Sequence, residues 1–404
     1  MRRVVVTGMG IWSCIGQDLQ AVTESLKKGR SGIVFDTQRV EYGLQSGLIG
    51  NVPHPNLRPL LPRYYRSFMP EDTMFAYMAS VQALNQAQLS RAFCEENVVG
   101  VLFGNDGNTS DFESILIMDK YHDAKMIEPY VWIKSGSSNV SFVLSEIFHL
   151  TGMCASVGAA CASSSHAIGI ANLCIKQGMQ DFMLVGGSCE VRKEGAAVAD
   201  AIGALSLSKR IPQTVSRPFD KDRDGMVPSG GAAALVLEEY EHAKARGANI
   251  LAEIAGYGIS SNGIEEISMP SADAEYIAMK NALDDAGLQP SDIDYVNAHG
   301  TSTPIGDIEE AKALTRLFGS KPFVSSTKSM TGHENWMAGA SEAVYSILMM
   351  QNGFVAPNIN LDNVIDEAKD LNIVRETIYT PVNIVLSNSS GMGGTNSALI
   401  FKKI

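Results

Sequence analysis

This sequence of 404 residues has little positive charge, no closely spaced cysteine pair and no long apolar run. Lys and Arg total 32 against 44 Asp and Glu, and the net charge of −12 argues against a large nucleic-acid-binding face. No stretch approaches the roughly 18 apolar residues that a membrane-spanning helix needs. The six cysteines include no CxxC pair, which argues against a zinc site or a disulfide framework. We therefore expect a cytoplasmic globular protein with free thiols, one of which is a candidate nucleophile.

The chain does contain enough apolar sequence for a large core, since 45% of its residues are hydrophobic and 19% are charged. Short β-branched segments bounded by glycine alternate with helical patterns, which predicts an α/β fold with helices covering the sheets. The segment RRVVVTGMGI near the start is weakly similar to ILAEIAGYGI in the second half. This similarity predicts an internal duplication, with one half spanning residues 1–248 and the other residues 249–404.

A cysteine flanked by small residues is the first candidate for catalysis. Cys161 stands in the segment VGAACASSS, where an apolar stretch leads in and a helical pattern leads out. A nucleophile on a sharp strand-to-helix turn needs small neighbours, because the strained backbone leaves no room for bulky ones. The helix N-terminus that follows favours the thiolate over the thiol. The alternative interpretation is a buried structural cysteine.

Two further segments place histidines in loops that contain glycine. His299 ends a predicted strand, and two carboxylates open the helix after it, where the helix dipole favours them: Asp307 and Glu310. Lys328 and His333 lie five residues apart, and Glu342 follows on a predicted helix. A lysine near two histidines raises the local positive potential or binds a carboxylate. A histidine that caps a turn and an exposed lysine beside a loop histidine are the structural alternatives.

The segment SSGMGGTN near the C-terminus is a fourth candidate. Gly391, Met392 and Gly393 follow a predicted strand, and glycines let backbone amides approach a reacting oxygen closely, as an oxyanion hole requires. A loose surface turn is the alternative. A cysteine, two histidines, a lysine and a glycine-rich amide donor, each at a strand end, form a set suited to acyl transfer through a thioester.

At these residues the chain resembles the β-ketoacyl-acyl-carrier-protein synthases, the condensing enzymes of fatty-acid synthesis. The similarity extends over essentially the whole chain, in the family's order, through VVVTGMG, the Cys161 segment, RPFDKDRDG, HGTSTPIGD, KSMTGH and GGTN. It implies a thiolase-like fold of five layers, α-β-α-β-α, built from two similar halves. It also implies an obligate homodimer.

The resemblance further implies a role for each candidate residue. Cys161 would take the acyl chain from the phosphopantetheine arm of an acyl carrier protein, and the amides of Cys161 and Met392 would hold the thioester oxygen. Two histidines would bind the malonyl thioester and stabilise the enolate formed as carbon dioxide leaves: His299 and His333. A lysine and three carboxylates would support them: Lys328, Asp307, Glu310 and Glu342. The product is a β-ketoacyl thioester two carbons longer, made without a metal or an organic cofactor.

Two positions depart from the family's pattern. The family usually has Phe at position 392, as a gate over the acyl pocket, and Gly at position 336, whereas this chain has Met392 and Trp336. Because a flexible thioether gates more loosely and an indole adds bulk beside His333, we hypothesise a specialised substrate range, such as unsaturated, aromatic or short chains. The segment 228–232 resembles the type I enzymes more than type II.

A net-negative synthase needs a local basic surface for an acidic carrier protein, and five cations are candidates for it: Arg63, Arg66 and Lys125, with Arg58 and Lys120. Ordinary solubilising charge is the alternative.

Two other assignments share the fold. A partner subunit of the chain-length-factor kind, in a pigment or polyene pathway, usually lacks the nucleophilic cysteine, whereas thiolases usually have a second cysteine where this chain has Ser389 and Ser390.

Overall fold

A computed structural model of the protein describes residues 2–110, 112–263 and 266–404. The strands, in chain order, are β1 Val4–Trp12, β2 Ile33–Phe35, β3 Leu48–Gly50, β4 Val99–Gly104, β5 Cys154–Val157, β6 Phe182–Cys189, β7 Gly231–Glu239, β8 Ala252–Ser261, β9 Tyr295–Asn297, β10 Phe323–Ser325, β11 Phe354–Val355, β12 Asn372–Ile373, β13 Ile378–Tyr379, β14 Ile384–Gly391 and β15 Thr395–Lys402. The α-helices are α1 Leu19–Lys28, α2 Thr37–Tyr42, α3 Arg63–Arg66, α4 Glu71–Gln86, α5 Arg91–Glu96, α6 Phe112–Tyr121, α7 Val131–Ser135, α8 Asn139–Phe148, α9 Ser163–Lys176, α10 Lys193–Ala201, α11 Tyr240–Ala245, α12 Ala272–Ala286, α13 Gly306–Phe318, α14 Lys328–Thr331 and α15 Ala338–Asn352.

One long mixed sheet runs through the molecule in the order β12-β10-β9-β14-β15-β8-β1-β7-β6-β4-β5. Its two sections meet where β1 pairs with β8, through Val5 with Glu253 and Val6 with Ala252. Counted outwards from this junction, β1-β7-β6-β4-β5 matches β8-β15-β14-β9-β10, with the same succession of antiparallel and parallel pairings. The strand order therefore repeats, in agreement with the weak internal sequence similarity. The division between residues 248 and 249 stays a prediction.

Two helices, α9 and α15, lie between the two sections of the sheet and contact strands of both. Helices α4 and α8 cover the outer face of the amino-terminal section, and α12, with α13 beside it, covers the carboxyl-terminal section. This succession of layers, α-β-α-β-α, confirms the predicted thiolase-like fold. None of the helices in the described part of the chain has the length and apolar character needed to cross a membrane.

Small residues make this close layering possible. Residues 338–350 of α15 are buried, and a Cβ on Gly339 would lie 2.6 Å from Cβ of Ser165 on α9. On β6, a Cβ on Gly187 would lie 2.5 Å from Cβ of Ser164. Both distances are far below an ordinary contact, so glycine is required at both positions in this close-packed interior. The small residues that follow Cys161 therefore pack the central layer as well as surrounding the candidate nucleophile.

The predicted alternation of strands and helices is present. Strand β5 was expected only as the apolar stretch that leads into Cys161, and α10 was not predicted. Strand β5 has four residues, CASV, with little β-branched character, and its parallel pairing with β4 stabilises it. Helix α10 contains a glycine and several alanines, and no strong apolar periodicity marks it. Both elements border the site described next.

Candidate active site

A sharp turn carries the candidate nucleophile. Strand β5 ends at Val157, a short 3₁₀ turn covers Ala160–Ala162, and α9 begins at Ser163. Ala160 has a φ of 47°, in the left-handed region that alanine rarely adopts. The hydroxyl of Ser163 accepts the Ala159 amide at 2.8 Å and donates to the Ala160 carbonyl at 2.6 Å, which closes the turn. The strand–turn–helix predicted around Cys161 is therefore present, with its strain one residue before the sulfur.

Hydrogen-bond donors surround the sulfur of Cys161. Nε2 of His333 lies 3.0 Å from Sγ, and the backbone amides of Met392 and of Cys161 also lower the pKa of the thiol. The positive charge of Lys328 acts in the same direction. Burial is the largest influence, however, and it raises the pKa above its usual value. The local donors thus act in the direction expected of this turn, and burial opposes them.

The surroundings of His333 determine which ring nitrogen holds its proton. The amide of Asn335 donates to Nδ1 at 3.2 Å, so Nδ1 is an acceptor and Nε2 carries the hydrogen that points at Sγ. The main chain is held on both sides, since the His333 amide donates to Val227 at 2.7 Å and its carbonyl accepts from Ser229 at 2.9 Å. Burial and the Lys328 charge keep the pKa of His333 well below its usual range, so the ring is neutral.

His299 lies beside His333 and has the same tautomer. The two ring centroids are 5.3 Å apart, with the planes nearly perpendicular at 87°. The ammonium of Lys328 lies 3.3 Å from Nδ1 of His299 and donates to its carbonyl at 2.7 Å. Since an ammonium only donates, Nδ1 accepts and Nε2 carries the proton. Burial and the neighbouring cation hold the pKa of His299 well below its usual range.

Lys328 is almost fully buried, with 1% of its surface exposed. Besides His299, its ammonium contacts the carboxylate of Glu342, which is equally buried. In the described part of the chain its hydrogen bonds reach His299 and Glu342 but not His333, which it influences through charge alone. Burial raises the pKa of Glu342 to about 8 in spite of this contact. Lys328 therefore fixes one histidine directly, not both.

The other two predicted carboxylates, Glu310 and Asp307, do not contact Lys328 as Glu342 does, and each has its own partners. Glu310 accepts the amides of His299 and Gly300, both at 2.6 Å, and the side chain of Asn388 at 2.8 Å, so it anchors the histidine loop. Asp307 lies further from the rings: it accepts the Phe219 amide at 2.8 Å and pairs with Arg223 at 3.3 Å. Burial raises the pKa of Asp307 to about 7.

The glycine-rich segment at the end of β14 brings the Met392 amide to the sulfur. A Cβ on Gly391 would lie 2.6 Å from the Ala159 carbonyl, so only glycine allows this approach to the nucleophile turn. A Cβ on Gly393 would meet no atom within 4 Å, but its φ of 91° requires glycine for the turn itself. The Met392 side chain is 56% exposed, as a movable gate would be.

A cavity of about 390 Å³ begins at the sulfur. Met392 and Trp336, the two departures from the family's pattern, both line it, and α10 contributes four residues to the lining: Gly195, Ala196, Val198 and Ala199. Glu190 also lines the cavity. It accepts the amide and the hydroxyl of Thr109, at 2.9 and 2.6 Å, and burial raises its pKa to about 7. No motif marks Glu190 or α10 as part of the site, and the run of Gly and Ala in α10 is the one available signal.

The candidate docking cations lie outside the cavity. Arg63 and Arg66 are the first and last residues of α3, and Lys125 is exposed in the segment that precedes α7. The two segments adjoin, because the rings of Phe68 and Tyr130 lie 5.2 Å apart. Helix α7 follows the second segment directly, and the carbonyl of its Lys134 accepts at 2.8 Å from the side chain of Asn108, which lines the cavity.

The sulfur of Cys161 lies beside one neutral imidazole and two backbone amides, and a second neutral imidazole lies next to the first. On a thiolase-like fold this arrangement is typical of an acyltransferase that works through a thioester. Family models agree with this class: that of the β-ketoacyl synthase N-terminal domain matches residues 1–243, and that of the C-terminal domain matches residues 251–362. The chain belongs to the β-ketoacyl synthase family, and it is an acyltransferase with the condensing activity of 3-oxoacyl synthases.

Three comparisons show how similar the chain is to known members. 3-Oxoacyl-[acyl-carrier-protein] synthase 1 of Escherichia coli K12 is 41% identical over 409 residues, which cover 100% of both chains. The crystal structure of a β-ketoacyl synthase from Burkholderia phymatum is 36% identical, covers 100% of both chains and has a TM-score of 0.96. A type II polyketide ketosynthase, solved in complex with its acyl carrier protein, is 29% identical with a TM-score of 0.89, over 100% of this chain and 99% of that one.

Proposed function

We propose that this protein is a 3-oxoacyl-[acyl-carrier-protein] synthase that uses Cys161, His299, His333 and Lys328 to lengthen an acyl chain by two carbons. One observation carries the assignment of these residues: Nε2 of His333 lies 3.0 Å from Sγ of Cys161, and the ring centroids of His333 and His299 lie 5.3 Å apart. Separate segments of the chain thus bring a neutral hydrogen-bond donor to the nucleophile and place a second one beside the first.

In the first half-reaction the sulfur of Cys161 attacks the carbonyl carbon of the carrier-bound acyl thioester. The amides of Cys161 and Met392 hold the oxygen as it gains negative charge. The bond to the phosphopantetheine sulfur then breaks, and that sulfur leaves as a thiol that carries the proton given up by Cys161. Since acylation removes the free thiol, the Nε2–H of His333 is released from the sulfur and becomes available to the second substrate.

In the second half-reaction the Nε2–H groups of His299 and His333 donate to the thioester oxygen of malonyl carrier protein. The carbon–carbon bond to the carboxylate breaks, and carbon dioxide leaves. The electron pair of the broken bond stays with the remaining thioester and forms an enolate, which the two donors stabilise. The enolate carbon attacks the acyl carbonyl on Cys161, and the carbon–sulfur bond breaks with its electron pair left on the sulfur. The β-ketoacyl thioester departs, and the Cys161 thiolate takes up a proton from water. Donors fixed before the reaction lower the barrier because they need no reorganisation.

The proposal includes an acyl carrier protein as partner, docked on Arg63, Arg66 and Lys125, and a homodimer in the cytoplasm. The cations lie on two adjoining segments that lead to the cavity. For the dimer, β5 is an edge strand of the long sheet, and edge strands are normally covered. Three apolar side chains of α6 are also exposed: Phe112, Ile115 and Leu116. For the compartment, all six cysteines are free thiols.

The cavity walls support a specialised substrate range. Trp336 and Met392 line the cavity that contains Cys161, and residues of α10 line it as well. We therefore propose that the enzyme has a specialised substrate range, such as unsaturated, aromatic or short acyl chains. A preference confined to saturated medium and long chains would exclude this.

Intact-protein mass spectrometry after incubation with a panel of acyl carrier proteins tests the assignment. The wild type should gain the mass of the acyl group, and Cys161→Ala should gain none. Cys174→Ala is the matched control, because that thiol is buried outside the cavity, and it should become acylated like the wild type. Acylation of Cys161→Ala at the wild-type rate would contradict the assignment.

A further inference from the structure

A carboxylate stands against the nucleophile turn, and the reaction steps above give it no part. Asp106 follows β4, which pairs in parallel with β5 up to Gly104 and Val157. The Asn105 amide extends this pairing by donating to the Val157 carbonyl at 3.1 Å. The two segments therefore run side by side beyond the sheet and bring Asp106 alongside residues 158–160.

The carboxylate contacts the strained residue itself. The amide of Ala160 donates to Oδ2 of Asp106 at 3.2 Å. Ala160 is the residue with a φ of 47°, a conformation that is unfavourable for alanine and free of strain for glycine. Strained residues that cluster at active sites persist when surrounding contacts hold them in place.

Glycine at position 158 leaves room for the Asp106 carboxylate beside the turn. A Cβ on Gly158 would lie 2.5 Å from Oδ1 of Asp106, so a side chain at position 158 would displace the carboxylate. Asp106 lines the same cavity as Cys161 and Met392. The negative charge beside the sulfur is a further consequence, and it raises the pKa of the Cys161 thiol.

We propose that Asp106 is a positioning residue for the nucleophile: its carboxylate holds Ala160 in the left-handed conformation that directs Cys161 towards His333 and the Met392 amide. The inference rests on the proposed role of Cys161 in acyl transfer. It assigns to Asp106 no contact with substrate, and it explains why an alanine is tolerated where glycine would be free of strain.

Four variants test the proposal: Asp106→Ala, Asp106→Asn, Ala160→Gly and the double variant D106A/A160G. The measurements are the rate of Cys161 acylation by acyl carrier protein and the rate of its alkylation by iodoacetamide between pH 6 and 10, both by intact mass. D106A should slow acylation about tenfold. This factor is of the order expected when an alanine that is no longer held leaves the left-handed conformation for the backbone conformations it prefers. D106A/A160G should recover most of that loss, because glycine needs no support at this φ.

Asp106→Asn separates position from charge. Its amide oxygen still accepts from Ala160, so acylation should stay near the wild-type rate, while the alkylation profile moves to lower pH because a negative charge has left the sulfur. Asp370→Ala, which removes an exposed carboxylate outside the cavity, is the control and should match the wild type.

Three results would overturn the proposal: acylation by D106A at the wild-type rate, a double variant as slow as D106A, or a loss in D106N as large as in D106A. The rescue by A160G would not occur if Asp106 served folding alone. Failure of the proposed function is distinguishable, because then the wild type itself would not be acylated at Cys161.

Discussion

Replacing Lys328 should reduce condensation far more than it reduces acylation of the nucleophile. Lys328→Met keeps an unbranched side chain of similar length but removes the ammonium that donates to Nδ1 of His299. His299 is then free to place its proton on Nδ1, which leaves Nε2 without a hydrogen for the malonyl thioester. Losing one such donor typically costs about 10²–10³ in rate. Cys161 is contacted by His333 and Met392, so its acylation should persist.

The same substitution should also destabilise the fold, and a second variant separates the two effects. Lys328 and Glu342 are both 1% exposed, and removing one member of a buried ion pair costs about 3–5 kcal/mol. Protonation of Glu342, whose pKa is already raised to about 8, offsets part of this below that pH. The double variant K328M/E342Q removes both charges, and neutral replacement of a buried pair is often tolerated. It should regain most of the lost stability without regaining condensation.

Three measurements distinguish these outcomes. Thermal unfolding gives the stability, carbon dioxide release from malonyl carrier protein gives the decarboxylation rate, and intact mass gives acylation of Cys161. We expect K328M and K328M/E342Q to share a loss of at least about 100-fold in carbon dioxide release while differing in unfolding temperature. If the double variant recovers both stability and decarboxylation, Lys328 supports folding only, and the argument from the His299 tautomer is wrong.

Two further predictions concern stability and docking. Burial raises the folded-state pKa of five carboxyl groups to between about 6 and about 8, whereas their ordinary values are 3.8 or 4.5. These groups are Asp72, Glu190, Asp307, Glu334 and Glu342. Over this pH range the folded protein therefore binds more protons at these groups than the unfolded chain does. Urea unfolding should therefore give a free energy of unfolding that falls between pH 6 and pH 8.5, and a flat or rising profile would refute this. Arg63→Glu with Arg66→Glu should raise KM for carrier-bound acyl groups but not for small thioester mimics, whereas Lys369→Glu should change neither. Equal effects on both substrates would argue against docking at α3.

The sequence supported the fold and the identity of the candidate catalytic residues for a definite reason. Each motif is local: a turn of small residues, a histidine before glycine, or a glycine run after a strand can be recognised from neighbouring positions alone. The repeated strand order was also visible in outline, because β1 and β8 occupy equivalent places and retain similar apolar patterns. Helix α10 lacked such a local signal, and its position depends on packing around the cavity.

Contacts between distant positions set the chemistry of the site. His333 is 172 positions from the sulfur that it contacts, and Lys328 is 29 positions from the histidine whose tautomer it fixes. No local pattern could show that Lys328 bonds to His299 and not to His333, or that burial outweighs the donors around Cys161. Protonation depends on the polarity and charge of all surrounding atoms, and folding brings those atoms together from several segments. The residue types were therefore readable in the chain, whereas their tautomers, their pKa directions and their contacts with one another followed from how its two similar halves pack.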